Sequence, residues 1–186
     1  FFFKQKTAYE ILTCDWSSDV CSSDLFPYGA FSSDQTQTAT VNTATLMTLD
    51  SSDFTNDVYI SSSKITVNNA GIYNLQFSVQ LENTDNASAD VFIWLRQGNG
   101  SGAATDITGS TGVVGMPPRK AVGDPFHAIY GWNYYLNMAV NDYVQIYWST
   151  TNANVSIKYY PASGSPTKPS TQSVVATLSF VSSVPT

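Results

Sequence analysis

The chain has 186 residues and few charges, 8 Lys and Arg against 14 Asp and Glu, for a net charge of −6. That acidic balance leaves no basic stripe for nucleic-acid phosphates, and no apolar run approaches the ~20 residues of a membrane span. Ser, Thr, Asn and aromatic residues dominate while Glu and Lys are scarce, which is a β composition.

The first segment, FFFKQKTAYEILTCDWSSDVCSSDL (residues 1–25), fits no ordinary role. A secretory signal needs roughly seven to fifteen consecutive apolar residues, whereas Lys4, Lys6, Glu10, Asp15, Asp19 and Asp24 are scattered through this stretch. Cys14 and Cys21 hold both thiols of the chain, with no His and no second Cys pair nearby to complete a zinc site. A disulfide between them would close a small polar loop with no core to support. Back-translated, FFFKQKTAYEI and DWSSDVCSSDL resemble the two fixed halves of a short-read sequencing adapter, and the residues between them span a sample index. The resemblance implies a non-native, disordered segment over 1–25, a native segment upstream of Phe26 that is missing, and a single domain over 26–186. Without those residues six basic and ten acidic side chains remain, with no cysteine to indicate a redox compartment. The remaining length suits one domain that buries roughly two thirds of the surface of its unfolded chain.

Strands follow in order, each marked by period-two alternation. In GIYNLQFSVQL the row Tyr73, Leu75, Phe77, Val79 and Leu81 alternates with Asn74, Gln76, Ser78 and Gln80. VFIWLR is apolar from Val91 to Leu95, as expected of a strand covered on both faces. GWNYYLNM alternates Trp132, Tyr134, Leu136 and Met138, and DYVQIYWS alternates Val144, Ile146 and Trp148. NVSIKYY contributes Val155, Ile157 and Tyr159, and SVVATLSFV contributes Val174, Ala176, Leu178 and Phe180. Turn signals fall at 68–71, 82–86, 98–102, 116–125 and 139–142. No segment carries a capped helical period, so the expected fold is an all-β antiparallel sandwich or jelly roll.

Few residues between the strands suggest chemistry. LENTDNASAD carries Glu82, Asp85 and Asp90, oxygen ligands of the kind calcium prefers. The spacing is not that of an EF-hand, and a polar hairpin turn explains the same residues. GNGSGAATDITGSTGVVGMPP (98–118) has six glycines but no phosphate-loop lysine; it is either a flexible linker or a recognition loop. His127, the sole histidine, would need a nucleophile and an orienting carboxylate within reach to catalyse, and no serine sits in GxSxG. No catalytic residue and no cofactor are therefore expected. Tyr134, Tyr135, Tyr143, Tyr147, Trp148, Tyr159 and Tyr160 include alternate positions that cannot all face one core. A second face covered by neighbouring subunits would explain them; so would a sugar-stacking surface.

AGIYNLQFSVQL resembles the signature strand of the complement and tumour-necrosis-factor-type jelly roll. GWNYYLNMAVNDYVQIYWSTTNANVSIKYYPASGSPTKPSTQSVVATLSFV resembles the C-terminal half of small jelly-roll modules of bacteriophage and marine viral structural proteins. The resemblance implies an antiparallel jelly-roll sandwich of about ten strands, a homotrimer, and a binding head on a fibre, head or neck of a virion, exposed at its surface. It places Ile72, Asn74 and Gln76 on the face toward the threefold axis, with Tyr135 as a further interface residue, although the family often has larger apolar residues where Asn74 and Gln76 stand. The partners it implies are a host surface glycan or protein and other virion proteins. A secreted cellular carbohydrate-binding or adhesion module is the alternative. A glycosidase would need a carboxylate pair, and Glu82 is the only glutamate beyond residue 25.

Overall fold

A computed structural model describes residues 26–183; the adapter-like segment 1–25 lies outside the described residues. Sixteen strand segments follow one another: β1 (Tyr28–Ser33), β2 (Gln37–Thr38), β3 (Thr45–Leu46), β4 (Ser51–Asn56), β5 (Val58–Ser61), β6 (Lys64–Val67), β7 (Gly71–Asn83) and β8 (Ala89–Asn99), then β9 (Thr105–Asp106), β10 (Gly112–Met116), β11 (Phe126–Met138), β12 (Asp142–Thr150), β13 (Val155–Ile157), β14 (Ser163–Gly164), β15 (Thr167–Lys168) and β16 (Val174–Ser182). Ten of them have four residues or more, and the described residues contain no helix.

The long strands form two antiparallel sheets. In the first, the order is β4–β1–β16–β7–β11, with β13 also on β7 and β2 on β13; in the second it is β5–β6–β12–β8–β10, with β3 on β12 and β9 on β8. The chain passes from one sheet to the other at β2 to β3, β3 to β4, β4 to β5, β6 to β7, β7 to β8, β10 to β11, β11 to β12 and β12 to β13. Such pairings are non-local, so each sheet exists only when distant segments meet.

One face of each sheet is apolar because of the alternation, and the two apolar faces close on each other. Tyr73, Leu75, Phe77, Val79 and Leu81 of β7 and Val174, Ala176 and Leu178 of β16 share a single core with Val91, Ile93 and Leu95 of β8 and Val144, Ile146 and Trp148 of β12. VFIWLR departs from the two-sided burial expected of it: Phe92 and Trp94 are half-buried, because the outer face of β8 is covered only by side chains of its own sheet. The 98–118 segment is not a free linker either, since β9 and β10 within it both pair with β8.

Tyr73 illustrates how this core responds to pH. Its ring is fully buried and its hydroxyl donates to the Asn69 carbonyl at 2.8 Å. Burial, with a smaller contribution from the Asp57 charge, raises its pKa from 10.0 to about 12. The folded chain therefore keeps a proton that the unfolded chain releases first, so stability is complete below pH 10.0 and declines as pH rises toward 12. Urea midpoints measured across that window are expected to fall, with a shallower fall in Tyr73→Phe. Equal slopes for the two proteins would contradict the assignment.

Candidate functional site

Cross-strand partners in an antiparallel ladder point to the same face. With the odd-numbered row of β7 in the core, Ile72, Asn74, Gln76, Ser78, Gln80 and Glu82 point away from it. Their partners on β11 are Asn137, Tyr135, Asn133, Gly131, Ile129 and His127. On the other side β16 sets Val175, Thr177 and Ser179 against Ser78, Gln76 and Asn74. The four residues expected at a subunit interface thus lie on one surface, with Tyr135 directly opposite Asn74.

This surface is mixed rather than purely polar. Ile129 is 71% exposed and Tyr135 61%, while Gln76, Phe77, Ser78, Val175 and Thr177 line a shallow depression of about 270 Å³. Asn74 is buried and its Oδ1 accepts no hydrogen bond from the protein. A buried acceptor of this kind carries a desolvation cost that water or a partner's donor would offset.

The edge of the same sheet is unusual. Among the described residues β11 pairs with β7 alone, along all thirteen of its residues. Its sequence, FHAIYGWNYYLNM, contains no Lys, Arg, Asp, Glu or Pro. Soluble proteins ordinarily protect a long edge strand with charge, proline or a cover, because its free backbone groups template further pairing. The inward row of β11 is incompletely covered as well: Phe126, Ala128, Tyr130, Trp132 and Tyr134 are only half-buried. The Tyr130 hydroxyl and the Trp132 ring pack against Gly112, where a Cβ would clash with both.

At the far end of this face a polar cluster joins three segments. Tyr160 donates its hydroxyl proton to Glu82 Oε2 at 2.9 Å, and its oxygen lies 2.8 Å from His127 Nδ1. With that proton committed, the hydroxyl oxygen accepts from an Nδ1–H of His127. Lys158 Nζ lies 3.5 Å from Glu82 Oε1 and His127 Nδ1 lies 3.7 Å from Glu82 Oε2. Desolvation, followed by the hydrogen bond to and the charge of Glu82, pushes the Tyr160 pKa well above its ordinary value. A tyrosine so held is the opposite of an activated nucleophile. The cluster's evident role is to tie β7, β11 and the segment after β13 together. Glu82→Ala is expected to cost about 1–3 kcal/mol by leaving the Tyr160 hydroxyl and the Lys158 ammonium without an acceptor, with Glu82→Gln milder; urea unfolding of both variants measures this.

The structure does not gather the carboxylates that resembled a calcium set. Glu82 belongs to the cluster above. Asp85 Oδ2 accepts from the Asn152 and Asn154 amides at 3.0 and 2.8 Å, which, in that order of effect, hold its carboxyl below the usual range. Asp90 is exposed on β8. Among the described residues no three His, Cys, Asp or Glu side chains could hold a metal together. The polar-turn reading accounts for the segment: Asn83 Oδ1 accepts from the Asp85 amide, and Asn83 Nδ2 donates to the Ala87 and Pro117 carbonyls.

The aromatic residues divide between both sheets. Trp148 is in the core, Tyr134 points inward and Tyr135 outward on the first sheet. Tyr143 and Tyr147 occupy the outer face of the second sheet, where the Arg96 guanidinium stacks 4.0 Å from the Tyr147 ring. Asp106 accepts from both Trp94 Nε1 and Arg96 Nε. These pairs depend on register between segments far apart in the chain, and only the outward parity of Trp94, Arg96 and Tyr147 hints at them beforehand.

No family model and no curated protein matches this chain.

Proposed function

We propose that this chain is a non-enzymatic viral structural module: a trimeric jelly-roll head on a fibre, or a virion decoration, that contacts a ligand on the host surface. The observation that carries the trimer is the long, uncharged, unpaired β11 edge beside an outer face bearing Ile72, Asn74, Gln76, Ile129 and Tyr135. A neighbouring copy laid against that edge and face would cover the free backbone groups and supply a donor for Asn74 Oδ1. The crossings between two sheets and the ten longer strands support the jelly-roll reading.

Assignment to a virion rests on the likeness of AGIYNLQFSVQL and of the C-terminal half to phage and marine viral modules. Three weak sites on one rigid head would bind by multivalency. Long-read sequencing of the DNA around the coding region tests this: capsid, portal or tail genes beside it are expected. A signal peptide joined to the module among cellular genes would instead support a secreted adhesion module.

A further inference from the structure

On the outer face of the second sheet, where β5 pairs with β6, an open cleft of about 450 Å³ lies between these strands and the turns at Ser62, Gly100 and Asn141. Tyr59, Ser61, Ser62, Lys64 and Asn99 supply the side chains that line it. We propose that this cleft is a binding site for a saccharide that carries a carboxylate, such as a uronic or sialic acid residue at the end of a glycan.

The walls are built before any ligand arrives. Ser62 and Ser63 both have positive φ (51° and 58°) between the paired residues Ser61 and Lys64, the two-residue hairpin geometry that follows the twist of its strands. Gly100 and Asn141 are also left-handed, at φ 52° and 64°. The Gly100 amide donates to the Asn141 carbonyl at 2.9 Å, and the Asn141 amide to the Val67 carbonyl at 3.0 Å, so the turns at 100 and 141 are tied to each other and to the C-terminal end of β6. Asn99 Nδ2 is fixed between the Val140 carbonyl and Asp142 Oδ1, leaving its carbonyl oxygen as the free polar atom of that side chain.

The chemistry of the lining selects the ligand. Lys64 Nζ sits 4.1 Å from the centre of the Tyr143 ring, and among the described residues it forms no ion pair with a carboxylate. Tyr143 is itself pinned, its hydroxyl donating to the Gly102 carbonyl at 2.6 Å, and Gly98 leaves the space its ring needs. A cation held over an aromatic ring, facing a cleft in an acidic protein, is matched to a single negative group of a ligand. The Ser61 and Ser62 hydroxyls can both donate and accept, as the hydroxyls of a pyranose require. Tyr59 is 43% exposed and offers a ring face for the sugar's C–H groups. The volume lies within the roughly 300–1,000 Å³ of small-molecule sites.

The site deepens the host-ligand reading and rests on it only for where the sugar comes from. Binding is measured on the full chain by amide NMR titration, whatever its oligomeric state, so failure here leaves the trimer untouched and failure of the trimer leaves this result standing. Glucuronic acid and N-acetylneuraminic acid are the acidic probes, glucose the neutral one, and inorganic phosphate the simple anion. At least one acidic sugar is expected to shift the amides of Ser61, Ser62, Lys64, Asn99 and Gly100, and to bind about tenfold or more tightly than glucose and phosphate, the factor carried by about one charge-assisted hydrogen bond. Lys64→Met is expected to remove that margin, Lys64→Arg to retain most of it, and Tyr59→Ala to weaken both acidic and neutral sugars. No shifts with either acidic sugar, equal binding of glucose, phosphate binding as well as the sugars, or an unaltered margin in Lys64→Met in a protein that melts normally would each overturn the proposal.

Discussion

Trp148→Ala is expected to lower the stability of the fold by about 3–5 kcal/mol, a large share of the roughly 5–15 kcal/mol that holds a domain of this size together. Trp148 is the largest of the fully buried side chains. It sits on β12 of the second sheet, paired with Ile93 on one side and Thr45 on the other, and faces the β7 row. Removing the indole takes away apolar burial and leaves a void that flanking strands, held in register by their ladders, cannot close. The indole Nε1 has no hydrogen-bond partner in the protein. Trp148→Phe, which deletes that unsatisfied donor with part of the ring, is therefore expected to cost less than half as much. Urea denaturation of the three proteins checks both statements, and a loss below about 1 kcal/mol for Trp148→Ala would contradict the packing described.

If the proposed trimer forms through the β7 face, Gln76→Arg is expected to convert it to monomers. Gln76 is exposed in the single chain and central to the outer face, with Asn133 and Thr177 as its partners on either side. Three guanidinium groups brought together near a threefold axis would repel one another and would each lose hydration. In the isolated chain the same change is a surface substitution, worth within about 0.5 kcal/mol. The mass in solution should therefore fall threefold with little change in the strand signal by circular dichroism. An unchanged mass would place the contact elsewhere on the molecule.

The core rows were legible in advance because period-two alternation is a local property. Tyr73, Leu75, Phe77, Val79, Leu81, Val144, Ile146, Trp148, Val155, Ile157, Val174, Ala176 and Leu178 are all buried as their parity implies. The turns at 68–71, 116–125 and 139–142 coincide with the breaks between β6 and β7, β10 and β11, and β11 and β12. Strands β1 to β6 were not read from the sequence. β1 carries small residues, Gly29, Ala30, Ser32 and Ser33, and β4 is a polar edge strand of exposed residues, so neither shows the alternation that marks a half-buried strand.

Partnership across the chain was less legible still. In the sequence Glu82 stands in a polar turn signal and His127 stands alone, because nothing local says that β7 and β11 run side by side in that register. The outward parity that Glu82 shares with Gln80 and Ser78 was the available signal, and it needed the pairing to become useful. The cleft at Lys64 is hidden for the same reason, its walls coming from β5, β6 and the turns near residues 62, 100 and 141. By contrast, Ile72, Asn74 and Gln76 could be assigned to one face from alternation alone, and the pairing adds Tyr135 to it.

In the proposed trimer the β11 edge and the face beside it are covered by copies of the same chain. Static light scattering on the purified protein at micromolar concentration measures this without reference to ligand or host. Three times the mass of one chain is the predicted result, and a monomer mass would contradict it.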